Sequence, residues 1–300
     1  MCRLARVARA TYYAWRARQQ RPASWTPQHG GGRPRRGYVW TQTGTKVAEG
    51  QVLEWLTEYI TAGEGQHYGY RKLTTWLRRT QGLIINKKTV YRILREADLL
   101  QGQPLRPAHD RPPRIRAVNR VVIGPHQLWE TDLQYGYVAG EDRFFYLCSV
   151  MDVFDRSILA YHIGAHCTAR QALGALQGAV RARQADWGET PPVIRTDNGP
   201  QFIAQAWAEG CATLGVIHER IPNATPNKNA HIESWHSLLE ANCWRNQVFA
   251  TFAEAYTVTA EWIQFYNERR MHGSLHDWSP AQYYAWCRAG TAPPIKAIHC

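Results

Sequence analysis

The chain has 300 residues, with 36 Lys plus Arg against 24 Asp plus Glu, a formal net charge of +12 and a pI near 9.5. Apolar residues make up 44% and aromatic residues 12%, enough for a sizeable core, which excludes wholesale disorder. Mean hydropathy is −0.47, no uncharged run approaches the ~18 residues of a membrane span, and no apolar stretch follows the basic N-terminus (Arg3, Arg6, Arg9), so neither a membrane helix nor a signal peptide is expected.

The charge is unevenly spread. Residues 1–120 carry 23 basic and 7 acidic side chains, and residues 121–300 carry 13 basic and 17 acidic. A basic front on a mildly acidic body points to a polyanionic partner. The seven cysteines are odd in number and form no Cys-x-x-Cys pair. A disulfide framework or zinc module is therefore not expected, and a reducing compartment fits. His166 and Cys167 lie in a strand-like run, where adjacent side chains point to opposite faces and cannot share a metal.

At a domain size of ~100–200 residues, two or three units are expected. Residues 1–47 read as a basic helical segment (2–20) followed by a Pro/Gly-rich linker. Helical periodicity starts at 48 and marks three helices up to residue 100. The last two are split at Gly82, and Asn86 is placed to cap the final one. Two short helices around a brief turn are the helix-turn-helix layout. Lys87, Lys88, Arg92 and Arg95 lie on the polar side of the second of them, suited to a DNA major groove. Residues 101–120, rich in Pro and Arg, read as another linker. From 121 onward three β-prone runs (127–138, 143–153, 157–164) precede alternating helices and strands up to about 245, which describes a mixed α/β sheet. A helical tail occupies 246–300, with helices near 249–268 and 280–288.

Three acids stand out in this frame. Asp132 lies within a strand pattern, and Asp197 ends another strand before the turn signal Asn198-Gly199-Pro200. Glu233 lies on a helix whose apolar side is Ile232, Trp235, Leu239 and Cys243, with Glu233, His236 and Glu240 on the other side. Three carboxylates brought together repel unless cations intervene, and magnesium or manganese suits oxygen ligands. Two such ions suit in-line phosphoryl transfer. Asp152 and Asp155 rank lower, since Asp155-Arg156 reads as a turn with a local ion pair. Glu130 shares a strand face with Asp132 and is a candidate neighbour of the metals.

Thirty-five residues separate Asp197 from Glu233, and this spacing resembles the acidic pattern of the retroviral-integrase superfamily. The segments WETDLQYG (129–136), IRTDNGPQF (194–202), PNKNAHIESWHSLLE (226–240) and FYNERRMHGSLHDWSPAQY (265–283) more closely resemble bacterial insertion-sequence transposases, the product of the second of two overlapping reading frames. HYGYRKL (67–73) and INKKTVYRILREADL (85–99) match the upstream helix-turn-helix of that group.

The resemblance implies a ribonuclease-H-like five-stranded mixed sheet for 121–245, with Asp132, Asp197 and Glu233 as catalytic metal ligands for two magnesium or manganese ions. It also implies cleavage and joining of DNA strands without a covalent enzyme intermediate, at the terminal repeats of an element and in target DNA. Arg71, Lys72, Lys87, Lys88, Arg92 and Lys228 are the candidate DNA contacts. Family members often carry a basic residue where this chain has Glu240, and Lys228 or Arg245 are the candidate substitutes. A homo-oligomer, an upstream-frame DNA-binding partner and a cytoplasmic, nucleoid-associated location are expected by the same analogy. The alternatives are a DNA-binding protein with an inactive core and a ribonuclease or resolvase on the same fold.

Overall fold

The computed structural model describes residues 37–100, 120–222 and 229–300. The expected helix at 2–20, most of both linkers and Lys228 lie outside these described residues.

The N-terminal module begins with a hairpin, β1 (Tyr38–Thr41) and β2 (Lys46–Ala48), followed by α1 (Glu49–Thr61), α2 (Tyr70–Thr80), β3 (Leu83–Ile84) and α3 (Lys87–Glu96). Composition assigns residues 38–47 to a linker, but the hairpin occupies them. Tyr38-Val39-Trp40-Thr41 is a run of β-formers that pairs with β2 on one edge and β3 on the other. Gly82, at φ +58°, turns the chain between α2 and β3, and the Asn86 side chain accepts the Lys88 N–H at 2.9 Å to cap α3. Val52, Leu56, Leu73, Leu77, Val90, Ile93 and Leu94 close one core, and Tyr59 stacks on Trp76 at 4.1 Å.

The body follows as β4 (Val121–Val122), β5 (Leu128–Val138), β6 (Arg143–Asp152), β7 (Ile158–Gly164), α4 (Ala169–Arg183), β8 (Val193–Thr196), α5 (Pro200–Ile203), α6 (Gln205–Thr213), β9 (Ile217–Arg220) and α7 (Ala230–Leu239). A π-helical turn, Glu240–Trp244, extends α7. Then come α8 (Phe252–Glu268), α9 (Pro280–Arg288) and β10 (Ile298–His299). The main sheet has the order β7-β6-β5-β8-β9. β5, β6 and β7 are antiparallel, while β8 and β9 run parallel to β5. This is the five-stranded ribonuclease-H-like arrangement that the resemblance implies. His166 and Cys167 fall beyond the end of β7, in the loop before α4.

Alternation along the strands sends one set of side chains to each face. Phe145, Leu147 and Met151 pack under α7 and α8 with Ile232, Trp235, Leu239 and Tyr266. Trp129, Cys148 and Val150 pack on the opposite face against Ala172, Leu176 and Val180 of α4, with Phe202 and Trp207. Helices therefore cover both faces, with Asp132 within β5 and Asp197 just beyond the end of β8.

Asp155 makes no local pair with Arg156. Its buried carboxylate accepts from Arg183 Nη1 at 3.0 Å, because the turn directs Arg156 away and α4 brings Arg183 beneath it. Asp152 is also structural. It accepts from the His126 and Phe154 N–H groups, each at 2.8 Å. The tail is not a separate appendage, since β10 pairs with β4 and brings the chain end back to the body. It also docks on the N-terminal module. Arg79 donates to the carbonyls of His276 (2.9 Å) and Asp277 (2.5 Å), and its guanidinium lies 3.7 Å from the Trp278 ring. Among the described residues, no helix is long and apolar enough to cross a membrane.

Candidate active site

The register of the sheet brings the two aspartates together. Glu130 of β5 lies beside Arg195 of β8 in the last pair of a parallel ladder, so Asp132 follows two residues on in β5 and Asp197 follows two residues on, just past the end of β8. Neighbouring strands lie ~4.8 Å apart. Within β5, Asp132 Oδ1 accepts the N–H of the next residue, Leu133, at 2.8 Å. Asp197 Oδ1 accepts the Gly199 N–H at 2.9 Å, the Asx turn that its Asn-Gly-Pro sequence favours.

Glu233 arrives on α7, and the seating of that helix depends on Glu130. The Glu130 carboxylate is fully buried and accepts the backbone N–H groups of His231 (3.1 Å) and Ile232 (2.9 Å) as well as contacting His231 Nδ1 (3.1 Å). Asn229 Nδ2 adds a bond to the Thr131 carbonyl at 3.2 Å. A carboxylate at a helix N-terminus satisfies orphan donors and complements the helix dipole. The strand of Asp132 is thereby bonded directly to the first turn of the helix of Glu233. Sequence reading places Glu130 on the correct face but gives it no such part. The two-residue period was the only available signal.

Burial and crowding of the acids shift their titration. The Asp132 carboxyl is pushed up to about 7, first by burial and then by the negative charges of Asp197, Glu233 and Glu130. Glu233 is raised as well, by burial and by Glu130. His236, expected on the polar side of its helix, is buried instead, and its Nδ1 lies 3.6 Å from Asp132 Oδ2. Burial lowers it to about 4, so it stands beside Asp132 as a neutral imidazole. Glu240 is half-buried in the π-helical turn.

No three His, Cys, Asp or Glu side chains among the described residues converge tightly enough to form a ready-made metal cage. The donor set nevertheless fits a hard divalent cation. The three acids offer oxygen ligands, and a cation would offset both the burial and the neighbouring negative charge that push the Asp132 carboxyl up.

The candidate DNA contacts are placed unequally. Lys87, Lys88 and Arg71 are exposed. Lys72 is turned inward, its Nζ donating to the Met271 carbonyl at 2.8 Å, and burial lowers it to about 8. Arg92 is engaged by Glu49 at 2.6 Å and by Glu96 at 3.2 Å. Lys228 lies outside the described residues.

Models of an integrase core domain match residues 124–226 and 214–280, and a model of an HTH-like domain matches residues 52–108. The two core matches together span more than half of the chain. The class is therefore an integrase-core enzyme that cuts DNA.

Among similar proteins is the uncharacterized 31.7 kDa protein of insertion element IS407 from Burkholderia multivorans, 29% identical over 78% of this chain and 81% of its own length. The transposase for insertion sequence element IS629 from Shigella sonnei is 27% identical over 80% of this chain and 83% of its own. Within the integrase-core class, the chain belongs to the insertion-sequence transposases. Two solved structures are similar in shape. A simian T-cell lymphotropic virus intasome has a TM-score of 0.49 and 16% identity over 79% of this chain and 77% of its own. The HTLV-2 integrase catalytic core domain, solved with magnesium, has a TM-score of 0.37 and 16% identity over 53% of this chain and 96% of its own.

Proposed function

We propose that Asp132, Asp197 and Glu233 form the catalytic site of this transposase, and that it cuts and joins DNA by metal-dependent in-line phosphoryl transfer. The observation that carries this reading is the geometry around Glu130, which pairs in register with Arg195 two residues before Asp197 and bonds the strand of Asp132 to the first turn of the helix of Glu233. When bound, two magnesium or manganese ions supply activation of the attacking oxygen and stabilisation of the leaving oxygen. The three carboxylates hold those ions, and Glu130 fixes the spacing between the β5 and α7 ligands. The exposed Lys87, Lys88 and Arg71 hold the phosphate backbone, and Lys228 is placed by sequence to help near α7.

Two successive displacements at phosphorus account for the reaction. A water oxygen first forms a bond to phosphorus at the element end, breaking the bond to the 3′-oxygen, which leaves as a hydroxyl. That hydroxyl then attacks a phosphodiester of the target, and a target 3′-oxygen leaves. Bond count is conserved at each step, so no external energy source is required. Synapsis of two ends calls for a homo-oligomer, and an upstream-frame product is the proposed DNA-binding partner, in the cytoplasm alongside the nucleoid.

The Asp132 shift sets a pH dependence. Its folded-state pKa, about 7, lies above the ordinary 3.8, so the folded chain favours the protonated form. Stability from this group is present below the ordinary value and is lost as pH rises through about 7. A bound cation reverses that preference. Magnesium should therefore raise Tm more at pH 8 than at pH 6 in wild type, and this difference should shrink in Asp132→Asn. Equal magnesium effects at both pH values would argue against Asp132 as a ligand.

Backbone contacts by the second helix of the motif predict a salt signature. Replacing Lys87 and Lys88 together with Gln should weaken duplex binding at all sequences. It should also reduce the slope of log affinity against log salt by about 2, near one unit per lost phosphate contact. Fluorescence anisotropy across a salt series measures it, and an unchanged slope would remove both residues from the interface.

A further inference from the structure

A second site, lined by Arg156 and His272 rather than by acids, lies on another flank of α7. A cavity of about 220 Å³ opens between α7, the β6–β7 turn, the end of α8 and the tail segment at 271–275. Its lining includes Arg156, His272, Trp235 and Tyr266, with Ser234 and Ser274 exposed at its mouth. The charges around it are not balanced by ion pairs. Arg156 is largely buried, and among the described residues its guanidinium has no hydrogen bond or ion pair. Burial disfavours its charge, which the neighbouring Tyr266, Glu130, Cys300 and Asp152 partly offset. Arg270, only 7% exposed, likewise has no carboxylate partner among the described residues, and its guanidinium faces the Tyr266 ring at 6.0 Å. His272 is 8% exposed, and its Nε2 has no hydrogen-bond partner.

Glu130 is a buried acid on α7's side, and its oxygens are already engaged by His231 and Ile232. On the other side, Asp277 accepts from Thr75 and faces Lys72. Buried cations and an orphaned imidazole nitrogen are costly unless something compensates them. Arg156 is held at φ +66°, a left-handed conformation that a residue of its size rarely adopts and that costs free energy of its own.

We propose that this cavity binds a phosphate group, held by the Arg156 guanidinium and His272 Nε2 with the Ser234 and Ser274 hydroxyls at the rim. A guanidinium matches two phosphate oxygens at once, and hydroxyls and an imidazole N–H complete a tetrahedral oxyanion's shell. Burial first, and then the positive charges of Arg270, Lys72 and Arg156, lower the His272 pKa, and those cations add attraction for an anion. Ser234 follows Glu233 in sequence, so a phosphate bound here lies one helix flank from the acidic residues. The site does not depend on the catalytic assignment of those acids. Its ligand is either a phosphodiester of bound DNA or free inorganic phosphate.

The experiment uses the full chain. Inorganic phosphate is titrated at constant ionic strength against chloride while Tm is followed, and duplex binding is measured across a salt series. Wild type should show a saturable rise in Tm. Arg156→Asn, which tolerates left-handed backbone, and His272→Gln should weaken the apparent phosphate affinity roughly ten-fold or more. If the ligand is DNA, inorganic phosphate has little effect, but Arg156→Asn lowers the salt slope by about one contact. Should Arg156→Asn fail to fold, His272→Gln and Ser274→Ala carry both arms. A phosphate response that persists unchanged in the variants would overturn the proposal. So would a flat response together with an unchanged salt slope.

Discussion

Asp132→Asn, Asp197→Asn and Glu233→Gln should each reduce strand cleavage and joining by roughly 10²–10³-fold or more, with duplex binding kept within about two-fold. Each substitution preserves side-chain volume and removes one negative charge. The folded state should tolerate them well, since Asp132 and Glu233 are both raised by burial and by neighbouring acids. Losing one of several crowded charges relieves repulsion, so Asp132→Asn should leave the metal-free protein equally or more stable at pH 8. Lost activity with retained or improved stability is the signature of a residue whose charge serves chemistry. Assays with a labelled terminal-repeat duplex and manganese read the first quantity, and thermal melts read the second. A variant that kept normal metal-dependent cleavage would drop out of the site. One that lost binding and stability together would be structural.

The body was legible because its signals are local. β5, β6 and β7 follow from β-prone runs within a residue or two, and the turn at Asp197 follows from Asn-Gly-Pro. The acidic spacing needs only counting. What escaped depends on distant partners. The hairpin at 38–48 sits next to a Pro/Gly-rich stretch that dominates the composition, and its outer edge is completed by β3, more than forty residues later. Lys72 looks like a free cation on the polar side of α2, but the tail packs against that side and takes the ammonium at Met271. The two-residue pairing of β4 with β10 has no sequence signature, because a single long-range closure determines it. His236 shares a helix side with Glu233 but is buried against Asp132, since β5 fills the space that a helical-wheel reading leaves to solvent.

The mutation with the largest effect on stability is expected at Glu130, which bridges strand and helix. Glu130→Ala removes the acceptor from the His231 and Ile232 N–H groups and the partner of His231 Nδ1, in a place that water does not reach. Truncating one member of a buried charged network typically costs about 3–5 kcal/mol, because the groups left behind are desolvated and unpaired. Glu130→Gln retains one acceptor oxygen but turns an amide N–H₂ toward backbone donors, so a loss of about 1–3 kcal/mol is expected. The two variants should also differ from the acidic-site variants in activity. α7 carries Glu233, so loosening its first turn should spoil the spacing from Asp132 and slow cleavage even where the chain is still folded. Urea denaturation gives the stabilities, and cleavage assays below the melting range give the rates. A Glu130→Ala protein with wild-type stability and wild-type cleavage would show that α7 is seated by its apolar side alone, through Ile232, Trp235 and Leu239.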